Sequence, residues 1–260
     1  MDTSKADQGR SAASKLLAVL AAFEAGPDPL MLVEIAERGG LALSTAHRLV
    51  AELVSWGALD RRPDGRYQVG MRIWELGQHA ARELTEVAHP YLQDLFELTR
   101  RNVHLCIREG TDALYLERFY GSRRVPMVAR VGGRLPLHPT AVGKALLAYE
   151  ERWFRDAYLA GTLERRTAFT ITEPGRLDRE LRQVRERGYA VTMEEIRLGS
   201  CSVAVPVRAQ DGSVVAAIGI VLASQESPEI RKLLPALRGT AARVEDALHR
   251  SGPVQPRPPR

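Results

Sequence analysis

Apolar positions in the first quarter of the chain recur at helical spacing and are interrupted at a few glycines and prolines. Over residues 11–25, Ala13, Leu16, Leu17, Leu20 and Phe23 fall on one side of a helix, and Gly26-Pro27-Asp28-Pro29 ends it. Leu32, Ile35 and Ala36 then share a face until Gly39-Gly40, where Gly40 can take the positive φ that a β-carbon opposes. In the next helix the apolar positions are Ala46, Leu49, Val50 and Leu53. Between them lie Ser44, Thr45, His47 and Arg48, which are short, polar or basic. The period then changes: Leu59–Arg62 and Arg66–Val69 flank the turn Pro63-Asp64-Gly65. Two helices joined at a tight turn and followed by a hairpin describe a winged helix-turn-helix over residues 11–70. Its second helix is shaped for the major groove of double-stranded DNA. Arg48 can take a guanine edge, the hydroxyls of Ser44 and Thr45 suit phosphate, and His47 shares their face. On the wing, Arg61, Arg62 and Arg66 suit phosphate or the minor groove. Trp56 is expected in the core or packed against a helix.

Residues 71–84 predict one helix, with Ile73, Trp74 and Leu76 as packing positions. No strong stop separates it from a second helix, so it is expected to act as a rigid linker over 71–85. From about residue 86 strand-like runs alternate with helices. Val103–Ile107, Leu114–Phe119 and Val125–Val131 predict strands, Pro139–Ala148 a helix, and residues 176–187 an Arg-rich amphipathic helix. Tyr189–Met193 predicts a strand, and Cys201–Val207 with Val214–Leu222 a hairpin turning at Gln210-Asp211-Gly212. A final helix over 227–249 places Ile230, Leu233, Leu234, Leu237, Ala241, Val244 and Leu248 on one side. This order predicts an α+β domain with a mainly antiparallel sheet over 86–250. The ends, 1–10 and the Pro-rich 251–260, are expected to be disordered tails.

Composition narrows the classes. At 45% hydrophobic and 27% charged residues the 260-residue chain is globular, and no apolar run reaches the roughly 18 residues of a membrane span. With no apolar core at its N-terminus and only two cysteines, Cys106 and Cys201, it is expected in the cytoplasm with both thiols reduced. The net charge of +5 does not come from the DNA-reading segment. Residues 1–70 hold 8 Lys or Arg against 9 Asp or Glu, a net of −1. DNA binding therefore rests on a few placed charges, not on a basic domain.

The second domain offers less overt chemistry. His138 reads as structural, because no His or carboxylate partners stand at metal-ligand spacing, and no cofactor is expected. Lys144 reads as a helix-surface or packing residue. Ala141 and Val142 open a helix, where free N–H groups favour an anion. Ser202, Gly219 and Val221 can share one sheet face, small enough to line a cavity or to pack under a helix. Cys201, Val203, Val205 and Val207 take the other. Arg123, Arg124, Arg130 and Arg134 read as surface charge, with one free to meet a carboxylate. The rival class, a thiol enzyme or redox sensor built on Cys106 and Cys201, lacks a resolving-cysteine pattern.

Several segments carry a resemblance: Ser44-Thr45-Ala46-His47-Arg48-Leu49, Gly65-Arg66-Tyr67-Gln68-Val69-Gly70, the run from Pro136 to Leu146, Glu194-Glu195, and Ser202 to Val207. Over about residues 11–249 the chain resembles the IclR family of bacterial transcriptional regulators. The resemblance implies a winged helix joined by a linker helix to a GAF-like effector-binding domain. It implies a homodimer or dimer of dimers on a palindromic operator, a small organic-acid effector, action as a repressor, and no catalysis. It assigns effector contacts to Ala141, Val142, Thr192, Ser202, Gly219 and Val221, and apolar wall positions to Met127 and Leu135. The chain departs from the family pattern at Leu43, where a basic residue is frequent, and at Thr192, where an acid is usual. Ser202 stands where a cysteine is frequent, and Gly219 and Val221 where some small-acid binders have polar residues. With only Thr192 and Ser202 polar, a larger acid with an apolar or aromatic body is expected.

Overall fold

The computed structural model of the chain describes residues 10–24, 26, 28–77, 82–120 and 130–251. They fall into two units, Met1–Ala80 and Ala81–Arg260. Of the expected tails only Arg10, whose Nη1 donates to the Gly39 carbonyl at 2.9 Å, and Ser251, which ends the last helix, are described; residues 1–9 and 252–260, Met127, Arg123 and Arg124 lie outside the described residues.

In the first unit Ser11 caps α1 (Ala12–Ala21), its Oγ accepting from the Ser14 N–H at 3.1 Å. Ala18, Val19, Ala22 and Phe23 face inward, whereas Ala13 is exposed and Leu17 is 63% exposed. The buried stripe is thus rotated from the expected one. Small Ala18 and Ala22 flanking Val19 let α1 approach its neighbours closely, and the bulkier Leu16 and Leu20 pack at the margin of that core. α2 (Leu32–Gly39) ends where Gly40 takes φ 60° and the Leu41 N–H donates to the Ala36 carbonyl at 2.9 Å. α3 (Leu43–Trp56) buries Ala46, Leu49, Val50 and Leu53, the expected set. β1 (Leu59–Arg61) and β2 (Tyr67–Val69) pair antiparallel around a turn that Gly65 makes at φ 82°. Leu30 and Tyr67 add a bridge by exchanging backbone hydrogen bonds at 2.8 and 2.7 Å, so the wing has a third short partner that alternation did not reveal. α4 (Met71–Gly77) follows. The single linker helix expected over 71–85 is described only on its flanks, in α4 and in the start of α5 (Arg82–Thr99), because 78–81 lie outside the described residues.

The second unit is a six-stranded sheet with helices on both faces. Its elements run α5, β3 (Asn102–Glu109), β4 (Asp112–Phe119), β5 (Arg134–Pro136), α6 (Ala141–Leu147), α7 (Arg152–Ala160), α8 (Pro174–Arg187), β6 (Ala190–Met193), β7 (Ser200–Arg208), β8 (Val214–Ala223) and α9 (Ile230–Ser251). Strand order is β5-β4-β3-β8-β7-β6, and every pairing is antiparallel. This is the α+β, mainly antiparallel domain expected. α5 and α9 cover one face, over Val103, Leu105, Val203, Val205, Ile218 and Ile220. α6 and α8 cover the other, over Cys106, Ala113, Tyr115, Ala204 and Ala217.

Three expectations shift. Most of the strand expected over Val125–Val131 lies outside the described residues, and its last two positions, Arg130 and Val131, are not strand. The edge strand is β5 instead, where Pro136 is tolerated because an edge needs fewer ladder donors. α7 was not anticipated. None of its residues is fully buried; Phe154, Tyr158 and Leu159 pack half-buried against the margin of the core beneath α6 and α8. The last helix begins at Ile230, because Ser224–Glu229, with Pro228 inside, forms a 3-10 turn first.

Candidate functional site

On α3 the polar positions form one outward face. Ser44, His47 and Arg48 are exposed and Thr45 is half-buried. Opposite them, Ala46, Leu49, Val50 and Leu53 anchor the helix in the core, so the face is held on a rigid element. Leu43 heads the same helix and is 51% exposed. On the wing, Arg61 and Arg62 are exposed; Arg61 lies over the Tyr67 ring at 5.8 Å, and Arg62 Nη1 donates to Gln68 Oε1 at 3.3 Å. Arg66 is placed differently from its neighbours. Its guanidinium donates to the Pro29 carbonyl at 3.1 Å and pairs with Glu34 at 3.5 Å, tying the wing back to α2. Trp56 is not a core residue: it is 44% exposed, with Arg72 stacked on it at 4.4 Å. Position 56 ends α3, where the helix leaves the core and the indole reaches α4 instead.

In the second unit a cavity of about 40 Å³ lies between the sheet face and the start of α6. Leu135, Ala141, Val142, Ser202, Gly219 and Val221 all line it, so the fold brings these positions together. Thr192 does not line it. Its hydroxyl is spent on Ser202, with the two oxygens 2.6 Å apart, so Thr192 acts on the cavity only by holding Ser202. Gly219 has a steric role as well. A β-carbon there would sit 2.7 Å from Val142 Cγ1, so the glycine is what lets α6 lie so close to β8. At the start of α6, Thr140 Oγ1 accepts from the Gly143 N–H at 3.1 Å, which leaves the N–H groups of Ala141 and Val142 uncapped by that side chain.

The lining also contains Asn102, His104, Tyr115, Arg118, Thr140 and Ser200, none of which was anticipated. The expectation that polar groups come only from Thr192 and Ser202 is therefore corrected. His104 stands opposite Gly219 on β8 and opposite Arg118 on β4. Tyr115 and Arg118 are three positions apart and would face opposite ways in a regular strand. The register shift between Leu105 and Cys106 absorbs one residue of β4 and lets both reach the same cavity. That bulge has no signature in the sequence. Burial, with the Arg118 charge acting in the same direction, pushes the His104 imidazole down to about 3, so it is neutral. Its Nε2 is buried and has no hydrogen-bond partner in the protein.

The segment between β6 and β7 closes one side of this cavity through Ile196. It is pinned at several points. Glu194, at φ 55°, accepts from the Gly199 N–H at 2.7 Å, and Thr170 Oγ1 donates to the Glu195 carbonyl at 2.6 Å. Lys144 Nζ meets Glu195 Oε1 at 2.6 Å. Lys144 is therefore no surface residue: it is fully buried, and it ties α6 to this segment. A lysine there survives burial because a carboxylate meets it. Burial pushes the Glu195 carboxyl above its ordinary value, and Lys144 opposes that shift.

His138 proves structural. Nδ1 lies 3.0 Å from the Tyr158 hydroxyl and Nε2 3.0 Å from the Glu164 carbonyl. Burial raises the Cys106 thiol well above its ordinary value and the Cys201 thiol to about 11, so neither is a thiolate near neutrality. That speaks against a thiol enzyme or sensor built on these two residues. Among the described residues no cluster of His, Cys, Asp and Glu is arranged to hold a metal, and no helix is long and apolar enough to cross a membrane.

The two units each match a family model. The model of the IclR helix-turn-helix domain matches residues 12–63, and that of the bacterial transcriptional regulator IclR C-terminal domain matches residues 78–246. The chain is 33% identical over 214 residues to the HTH-type transcriptional regulator XynR of Escherichia coli K12, covering 79% of this chain and 83% of that protein. It is 30% identical over 249 residues to the HTH-type transcriptional repressor AllR of the same strain, covering 94% and 92%. A solved IclR homologue from Microbacterium hydrocarbonoxydans, complexed with 4-hydroxybenzoate, superposes with a TM-score of 0.88 at 33% identity, covering 93% of this chain and all of that one. With both halves matched in order along one chain, the protein belongs to the IclR family of bacterial transcriptional regulators.

Proposed function

We propose that the chain is a cytoplasmic, sequence-specific repressor whose hold on a palindromic operator changes when a small organic acid fills the cavity beneath α6. The carrying observation is the cavity's composition: one guanidinium, Arg118, stands among neutral hydrogen-bonding groups and apolar walls. A guanidinium in a half-apolar site favours a carboxylate, even while it stacks on the Tyr120 ring at 4.1 Å, and the N–H groups of Ala141 and Val142 that Thr140 leaves uncapped are further donors. The 4-hydroxybenzoate bound by the Microbacterium homologue supports an acid of that class. A cavity of about 40 Å³ is smaller than the roughly 150 Å³ that holds a benzene ring, so a ring-bearing acid requires Leu135 or Ile196 to yield. Two copies of α3 in a homodimer, or four in a dimer of dimers, would read the half-sites. Ser44, Thr45, His47 and Arg48 serve as the reading face, and Arg61 and Arg62 hold phosphate. The ties of Arg66 to Pro29 and Glu34 favour a structural part for it.

The test is operator binding measured with the full chain. Arg48→Ala should cost about 1–3 kcal/mol on the operator and little on random DNA, whereas Arg62→Ala should weaken both alike and lower the salt slope. Val221→Asp should leave operator binding intact and abolish release by the effector. No loss in either arginine variant would exclude the docking, and an unaltered response in Val221→Asp would exclude the cavity.

A further inference from the structure

His104 is the least explained polar residue of the second unit. It sits on β3, near the middle of the sheet, and is 6% exposed. Gly219 faces it across one strand pairing and Arg118 across the other. The Tyr115 ring packs against it edge-on, with centroids 5.2 Å apart. Buried polar atoms are nearly always paired, because an unmet donor or acceptor forfeits its hydration. Yet Nε2 is buried with no partner in the protein, on a side chain that lines the cavity. A leucine would serve the sheet better if packing were the only task.

The neighbouring groups divide the work. Arg118 carries a permanent charge and gives the stronger contact to a carboxylate. His104, neutral beside it, is suited to an uncharged group. A neutral imidazole nitrogen is a donor or an acceptor according to the tautomer, and a hydroxyl satisfies either. We propose that His104 is a specificity-determining residue of this cavity, bonding through Nε2 to a hydroxyl, so that the effector is a hydroxy-substituted carboxylic acid and not its unsubstituted parent. This rests on reading the cavity as the effector site. An acid without the hydroxyl would enter the same space and leave Nε2 unmet, and a site built around a hydroxyl discriminates strongly against its absence.

Titration calorimetry on the full chain with matched pairs tests the assignment: 3- and 4-hydroxybenzoate against benzoate, and lactate against propionate. In at least one pair the hydroxylated acid should bind the native protein on the order of tenfold to a hundredfold tighter. His104→Phe should erase that margin by weakening the hydroxylated acid alone, and His104→Gln should keep part of it. His104→Leu replaces the Phe variant if the ring prevents folding. Equal binding within every pair, or a margin that survives loss of the imidazole, would overturn the role of His104 while leaving the cavity reading in place. If no acid of the panel binds, or if Val221→Asp does not weaken the one that does, the cavity reading itself fails and this assignment fails with it.

Discussion

Lys144 and His104 show two ways in which one buried polar side chain can be tolerated. Lys144 has a carboxylate to meet it, and the pair joins α6 to the segment that carries Ile196. Removing one partner strands the other charge, so Lys144→Met should cost about 3–5 kcal/mol, read as a lower melting transition of the second unit. The double variant Lys144→Met, Glu195→Leu should recover most of that loss. Equal melting of the single and double variants would mean that the pair holds nothing. His104 remains neutral instead. Unfolded, it takes a proton as pH falls below 6.5; folded, it resists protonation down to about 3. Its contribution to stability is therefore complete above the higher value and is lost as pH falls toward the lower one, by at most about 1.4 kcal/mol per pH unit. His104→Gln should flatten this acid limb in denaturation measured at a series of pH values. An unchanged limb would place the acid sensitivity on other groups.

At the level of elements, the start of α6 and the strand beneath it are fitted to each other. Gly219→Ala would force a β-carbon against Val142, so α6 must lift. A cost of about 1–3 kcal/mol is expected, together with weaker effector binding. Val142→Ala on top of it should restore room, leaving the double variant closer to the native protein than the single in both melting and affinity. A single variant that melts and binds as the native protein does would show that α6 yields freely. Elements that obey a simple period were legible in advance: α3 from Ala46, Leu49, Val50 and Leu53, and the β7–β8 hairpin from its alternation and the Asp211-Gly212 turn, where Gly212 takes φ 83°. α7 was not, because only three of its residues, Phe154, Tyr158 and Leu159, pack against the core, and those only half-buried. The cavity was half legible. Resemblance located the residues on β7, β8 and α6, but the contributions of β3 and β4 depend on a bulge and on strand order, which no local pattern encodes.

For the molecule as a whole, α4 bears on the proposed homodimer through its exposed apolar side chains. Met71, Trp74 and Leu76 are each more than half exposed. Isolated exposed apolar residues are ordinary, but Met71 and Trp74, three positions apart on this short helix, share a side that a second copy of the chain, as proposed above, would cover. Trp74→Glu would bury an unpaired charge in such an interface and should shift sedimentation of the full chain toward monomer at micromolar concentration. A native protein that is monomeric under those conditions would remove the idea. The alternation of β3 and β8 has a further consequence. Along each strand, positions that line the cavity (102 and 104; 219 and 221) interleave with positions in the α5–α9 core (103 and 105; 218, 220 and 222). The chemistry of recognition and the bulk that keeps the sheet folded are thus written on alternate residues of the same strands. A library randomised at 102, 104 and 221, with Gly219 kept for the close approach of α6, can wander through new ligand preferences with its scaffold untouched. Deleting one residue of β8 would exchange the two sets and lose both at once.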